Sequence, residues 1–231
     1  MNIAIIPARG GSQRIPRKNS KLFCGKPIIA YSIEAAKKSK LFDRILVSTD
    51  DEEIKSIAIS YGAEVPFLRP ENLSNNYTGI KEVVDHSLDW LAINNKSVDY
   101  AYCCTLLATA PFLQCGYLEE GLNNLKRSNL VNSFSACKMP SPIQRSFKLT
   151  REGTCKMLMP EHFNSRSQDL EDYYQDAGQF YWKKLGVASS DVLFDTNSIP
   201  VMLPSYLVRD IDTLDDWKSA ELMYKALEEN V

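Results

Sequence analysis

Short apolar runs alternate along the chain with longer stretches whose apolar positions recur every three to four residues. Asn2–Ala8 carries Ile3, Ala4, Ile5 and Ile6 in succession, closed by Pro7 and two glycines, and predicts a buried strand. Pro27–Lys40 predicts a helix with Pro27 in its first turn and Ile29, Ile33 and Ala36 on one face. Arg44–Thr49 predicts a second strand. Asp51–Tyr61 predicts a second helix, with Ile54, Ile57, Ala58 and Tyr61 in register and Gly62 as its C-terminal cap. A short third strand is expected at Glu64–Leu68 and a third helix at Thr78–Asn94. Tyr100–Leu107 is almost continuously apolar, the pattern of a central strand covered on both faces.

The second half continues with a helix at Gly116–Lys126 and strands at Asn132–Cys137, Gly178–Trp182 and Pro200–Val208. A last helix spans Thr213–Glu229, where Thr213 and Asp216 have capping-box spacing. Between Lys138 and Tyr174 the periodicity fades into Pro, Ser and charge, which reads as an inserted arm at residues 138–174 of one domain spanning 1–231. Strand–helix alternation predicts an α/β fold: a mostly parallel sheet with helices on both faces. Ligands of such sheets bind at the carboxyl ends of strands, which directs attention to the loops after Ala8, Thr49 and Leu107.

Composition narrows the function classes. The 231 residues hold 27 Lys+Arg against 29 Asp+Glu, so no basic excess suggests nucleic acid as a partner. No apolar run approaches the roughly 18 residues of a membrane span. The N-terminus lacks the basic and apolar regions of a secretory signal, so a cytoplasmic protein with free thiols is expected. The six cysteines form no C-x-x-C pair, and His86 and His162 are the only histidines, so a structural zinc site is not expected.

The charge is unevenly spread. Arg9, Arg14, Arg17, Lys18, Lys21 and Lys26 precede the first acidic residue, Glu34. They surround Gly10-Gly11-Ser12, directly after the first strand. Such a loop lets backbone N–H groups approach an anion closely, and the added cations suit a triphosphate. A solvated run of surface Lys and Arg is the competing reading. The loop is neither a Walker A sequence nor G-x-G-x-x-G, which disfavours a dinucleotide cofactor.

Arg9-Gly10-Gly11-Ser12 followed by Ile15-Pro16-Arg17-Lys18-Asn19 resembles the signature loop of the cytidylyltransferases that activate nine-carbon acidic sugars, the CMP-sialic acid synthetases and their relatives. Arg44-Ile45-Leu46-Val47-Ser48-Thr49-Asp50, Leu68-Arg69-Pro70, Ala108-Thr109-Ala110-Pro111 and Asp210-Ile211-Asp212-Thr213 are similar to further landmarks of the family, in the same order. Arg166–Glu171, Tyr174–Trp182 and Ala108–Phe112 resemble its pseudaminic acid branch. The chain has Ala177-Gly178 where sialic acid enzymes usually have Asn-Gly, Gln13 where Lys is common, and Leu107 where Gln is common. Arg14 or Arg17 is a candidate to replace the charge missing at Gln13.

The resemblance implies a Rossmann-like nucleotidyltransferase fold with a dimerisation arm. It implies CMP transfer from CTP to the anomeric hydroxyl of a nonulosonic acid, pseudaminic acid above N-acetylneuraminate or legionaminate. It implies Lys18, Arg9 and Asp210 as catalytic residues, and nucleotide contacts from Ala8, Arg9, Gly10, Gly11, Ser12, Lys18, Asn19, Arg69, Thr78, Ala108 and Thr109. Sugar contacts are expected from Arg166, Gln168, Asp176, Gln179 and Tyr181, and Mg2+ ligation from Asp210 and Asp212. Either aspartate is also a candidate base for the sugar hydroxyl, and Asp212 or Thr213 is a candidate cap for the last helix. A homodimer is expected, with Arg166 reaching a partner's site.

Overall fold

The computed structural model describes residues 1–94, 99–187 and 193–229. The elements run β1 (Asn2–Pro7), β2 (Leu22–Phe23), β3 (Lys26–Pro27), α1 (Ile28–Ser39), β4 (Arg44–Ser48), α2 (Glu52–Ser60), α3 (Ile80–Asn94) and β5 (Tyr102–Leu106). They continue with α4 (Cys115–Arg127), β6 (Asn132–Lys138), β7 (Phe147–Leu149), β8 (Cys155–Met157), β9 (Tyr174–Lys184), β10 (Ser198–Met202) and α5 (Leu214–Glu228). Six strands form one sheet in the order β10-β6-β9-β5-β1-β4. All neighbours pair in parallel except β9, which is antiparallel to both β5 and β6.

Alternation along β1 sends its side chains to two cores. Ala4 and Ile6 pack with Ile29 and Ile33 of α1, Ile54 and Ala58 of α2 and Leu118 and Leu122 of α4. Ile3 and Ile5 pack with Leu91 of α3 on the opposite face. Each of these four β1 side chains is fully buried, a contribution of about 1.5–3 kcal/mol for each isoleucine. Helices therefore cover both faces, as the alternation predicts.

The chain leaves β1 for β4 on one side, then returns through α3 to β5 on the other. The strand order thus reverses beside β1, and a crevice opens at the carboxyl ends of β1 and β5.

Three elements differ from the sequence reading. Residues 64–68 make only two single bridges, Leu46 with Glu64 and Thr49 with Leu68; Pro66 between them has no N–H to continue a ladder. The apolar segment from Pro200 is strand only to Met202. Pro204 starts a 3₁₀ turn at Ser205–Leu207, and Pro200 is tolerated because β10 lies at the sheet edge. β9 is longer than expected, because it continues from the sheet toward the arm. It passes a bulge opposite Phe134–Ala136, where Gly178 takes φ +61° and the Ser135 hydroxyl accepts the N–H groups of Gln179 and Phe180 at 3.1 and 3.2 Å.

Residues 139–173 hold the β7–β8 hairpin and three 3₁₀ turns, with little of their apolar surface covered; Leu149 is 70% and Phe163 73% exposed.

A second cluster fixes the C-terminal helix. Phe23 meets Tyr31, Trp217 and Tyr224 edge-on, with ring centroids 5.5, 5.5 and 5.6 Å apart. Each such contact adds about 0.5–1.5 kcal/mol beyond burial. The cluster also takes in Ile15, Leu207 and Ile211, so it binds the loop after β1 to the segment entering α5.

Candidate active site

A cleft of about 320 Å³ occupies the crevice at the carboxyl ends of β1 and β5. Pro7, Leu107, Ala108 and Thr109 form its base, the loop after β1 one wall, and the polar segment ahead of α3 the other. Arg9, Arg14, Lys18 and Arg69 line it, and no carboxylate does among the described residues. Four cations facing one cavity favour an anion there.

Each cation is held differently. Arg9 donates to the Asn75 carbonyl at 3.0 Å and to Asn76 Oδ1 at 2.8 Å, both neutral oxygens, so its charge is not cancelled by these contacts. Arg69 is only 6% exposed and donates to the Ser48 carbonyl at 3.1 Å. Burial lowers its pKa first; Asp50, 3.9 Å away, opposes that, and Arg9 adds to it. A buried guanidinium beside a second one is a site whose charge an incoming anion would stabilise. Lys18 Nζ donates to the Ile211 carbonyl at 2.7 Å and lies 3.5 Å from Asp212 Oδ1.

The late aspartates stand at the same end. Arg14 Nη1 meets Asp212 Oδ2 at 2.6 Å. Asp210 lies on the surface beside them. Desolvation by the surrounding chain raises its pKa, the Asp212 carboxylate adds to the rise, and Lys18 and Arg14 oppose it. The helix-capping alternative falls to Thr213: its hydroxyl accepts the Asp216 N–H at 3.2 Å, and the Asp216 carboxylate accepts the Thr213 N–H at 2.8 Å. Asp212 is therefore not occupied as a cap. Lys18 and Arg14 thus meet Asp212 at the end of the molecule that holds the cleft, although neither Asp210 nor Asp212 lines the cleft itself.

Ser12, Asn19, Thr78, Ala108 and Thr109 line the cleft. Asn19 Nδ2 also donates to the Arg9 carbonyl at 2.9 Å and so closes the loop on itself. Ala8 is buried behind the cleft, its N–H bonded to the Ser48 carbonyl at 2.9 Å. Of the glycine pair, Gly10 gives its N–H to Asp50 Oδ1 at 2.9 Å, while Gly11 has open space around it. The charge absent at Gln13 is not replaced by Arg17, whose guanidinium turns away to Asp51 and Glu53. Arg14 lines the cleft instead.

The expected sugar contacts are dispersed. Arg166 lies in the arm, bonded to Asp169 at 2.6 Å, and lines a separate depression with His162 and Tyr173. Gln168 sits in the adjoining 3₁₀ turn. Asp176 accepts the Tyr181 hydroxyl at 2.6 Å and the Gly178 N–H at 2.8 Å. Burial above all, then Asp176, drives the Tyr181 pKa far up, with a further contribution from Asp210, which places Tyr181 within the field of Asp210. Gln179 is buried, bonded through Nε2 to the Leu207 carbonyl at 2.6 Å, and its Oε1 has no partner.

The sequence reading gives no site role to Asn75 or Asn76, and it takes Asp50 only as part of a family landmark and Asp51 only as a helix start. The polar run Ser74-Asn75-Asn76-Tyr77-Thr78-Gly79 is a loop signal that could have pointed to the first two.

A family profile described as cytidylyltransferase matches residues 3–184. The chain belongs to the cytidylyltransferase family. Within it, pseudaminic acid cytidylyltransferase of Campylobacter jejuni is 42% identical over 230 residues, covering 99% of this chain and 98% of the relative. CMP-N,N'-diacetyllegionaminic acid synthase of Legionella pneumophila is 31% identical, covering 98% and 97%. A solved structure of CMP:2-keto-3-deoxy-manno-octonic acid synthetase complexed with CTP is 14% identical, with TM-score 0.67 over 97% of this chain and 98% of the other. At that identity the likeness is one of fold, and it establishes the nucleotidyltransferase architecture for this cytidylyltransferase.

Proposed function

We propose that the cationic cleft binds CTP and that the enzyme transfers CMP to the anomeric hydroxyl of pseudaminic acid, releasing pyrophosphate. The observation that carries this is the set of Arg9, Arg14, Lys18 and Arg69 facing one cavity with no lining carboxylate among the described residues. The 42% identity to a pseudaminic acid enzyme, against 31% to a legionaminic acid one, supports the choice of sugar.

The chain's own groups suit the reaction. Arg9, Arg69, Ser12 and the Gly11 amide hold the triphosphate. Lys18 stabilises charge that develops as the hydroxyl attacks the α-phosphorus and pyrophosphate leaves. Thr78, Asn19, Ala108 and Thr109 surround the nucleoside. Asp176, Gln179 and Tyr181, on β9 near Asp210, are the sugar side of the site.

Asp210 offers a carboxylate to a magnesium ion, and Asp212 joins it once it exchanges its contacts with Arg14 and Lys18 for the metal. Among the described residues no cluster of three acidic, Cys or His ligands exists, and magnesium on nucleotides needs only one or two carboxylates, with phosphates and water supplying the rest. When bound it would neutralise phosphate charge.

The enzyme acts as a homodimer in the cytoplasm. Support for the dimer comes from apolar surface at two places: the arm, and the sheet edge at Pro200, the 41% exposed Met202 and the 63% exposed Phe194. A hairpin with so little covered surface is marginal alone. In the dimer Arg166 and Gln168 are delivered to the neighbour's sugar.

Pyrophosphate release with CTP, magnesium and each nonulosonic acid tests the reading. The highest kcat/KM is expected with pseudaminic acid; preference for N-acetylneuraminate or legionaminate overturns the sugar, and no release with any of them overturns the reaction. A monomer in sedimentation overturns the dimer.

A further inference from the structure

The loop after β1 is fastened to the start of α2 by two consecutive carboxylates. Asp50 Oδ1 accepts the Gly10 N–H at 2.9 Å. Asp51 caps α2 by accepting the Ile54 N–H at 3.0 Å, and it also receives the Arg17 guanidinium on both oxygens, at 2.9 and 2.8 Å. Glu53 takes a further bond from Arg17 Nη2. The loop and the helix start touch: a Cβ on Gly10 would lie 2.7 Å from Asp51 Oδ2 and 2.9 Å from Asp51 Cβ.

Arg17 stands at φ +55°, a conformation few side-chain-bearing residues adopt. Its carbonyl accepts the N–H groups of both Ser20 and Lys21 at 3.0 Å. This turn carries Lys18 and Asn19. Neighbouring side chains therefore part: Arg17 goes to α2, and Lys18 goes across to the Ile211 carbonyl.

We infer that the Arg17–Asp51 pair is a clamp that positions Lys18 for the reaction, with Arg17 itself making no contact with substrate. The inference rests on the proposed CTP chemistry. The Arg17 side chain is 46% exposed and Asp51 19%, so solvent screens part of the pair, while its bidentate geometry and the Glu53 bond keep a modest share in stability. Its effect is on placement, where a shift of about 1 Å can cost roughly 100-fold in rate.

Two variants separate this from a structural role. Arg17→Asn keeps the left-handed turn, which Asn tolerates. Asp51→Asn keeps the α2 cap, since Asn caps as well as Asp. Each is expected to lower kcat about 10- to 100-fold, with KM for CTP nearly unchanged and Tm lowered only slightly. In a Lys18→Ala background Arg17→Asn should add less than about a twofold loss, because residues acting as one unit are not additive. A full-sized loss in that background, or a raised KM with unchanged kcat, overturns the clamp.

Amide hydrogen exchange of residues 15–21 without substrate gives a reading independent of the reaction. Arg17→Asn should speed exchange there and nowhere else; unchanged protection overturns the clamp. A wild-type enzyme that released no pyrophosphate with CTP and any nonulosonic acid would defeat the reaction, while the exchange result would still decide the clamp.

Discussion

Lys18 Nζ donates to the Ile211 carbonyl at 2.7 Å across 193 positions of sequence. The aromatic cluster around Phe23 brings the two together, since it joins the loop after β1 to the segment that enters α5. Lys18 has one strong protein contact and one weak one, so its loss should leave the fold intact. Lys18→Ala is expected to lower kcat about 10²–10³-fold, the usual cost of removing a donor aimed at developing charge. Steady-state kinetics beside a thermal melt checks this; an unchanged kcat removes Lys18 from the chemistry.

Trp217 anchors that bridge. It is 4% exposed and packs edge-on against Phe23 with centroids 5.5 Å apart. Trp217→Ala should destabilise by about 3–5 kcal/mol. Where the protein still folds, activity should fall as well, because Asp210 and Asp212 lose their support opposite Lys18. Urea unfolding with activity measured on the folded fraction tests it: full activity at reduced stability separates the cluster from the site.

The parallel part of the fold is legible in sequence because its strands are continuous apolar runs and its helices keep a 3.6-residue period. The antiparallel setting of β9 is not legible, because Gly178–Trp182 reads the same in either direction and only its partners, Leu106 and Phe134, fix the sense. The cationic loop shows as charge without carboxylates. The roles of its members do not: Arg14, Arg17 and Lys18 look alike in sequence, yet they reach Asp212, Asp51 and the Ile211 carbonyl respectively. Direction of a long side chain depends on the local turn, here set by Arg17 at φ +55°.

Gly121 reports on packing away from the site. A Cβ there would come within 2.8 Å of Trp182 Cδ1 and 3.1 Å of Phe180 Cε2, and Trp182 is fixed by a 3.0 Å bond from its Nε1 to the Leu118 carbonyl. Gly121→Ala adds helix propensity, but overpacking of about 1–3 kcal/mol should dominate. Chemical denaturation should show net destabilisation; a more stable variant would mean that α4 moves freely off β9.

Asp210 gives a pH-dependent signature. Desolvation and then Asp212 hold its pKa above the usual 3.8 in the folded chain. The folded state therefore binds this proton more tightly than the unfolded state, and the ionised carboxylate is a burden on the fold. That burden is absent below the unfolded pKa, grows through the interval between the two values, and is complete above the raised one. Asp210→Asn should thus match wild type in Tm near pH 3.5 and gain slightly over it as pH rises toward neutrality. The same variant should need more magnesium for half-maximal activity. Melts across pH and a magnesium titration check the two halves separately. A variant that loses Tm as pH rises would reverse the sign of the electrostatic argument. An unaltered titration would remove Asp210 from the metal.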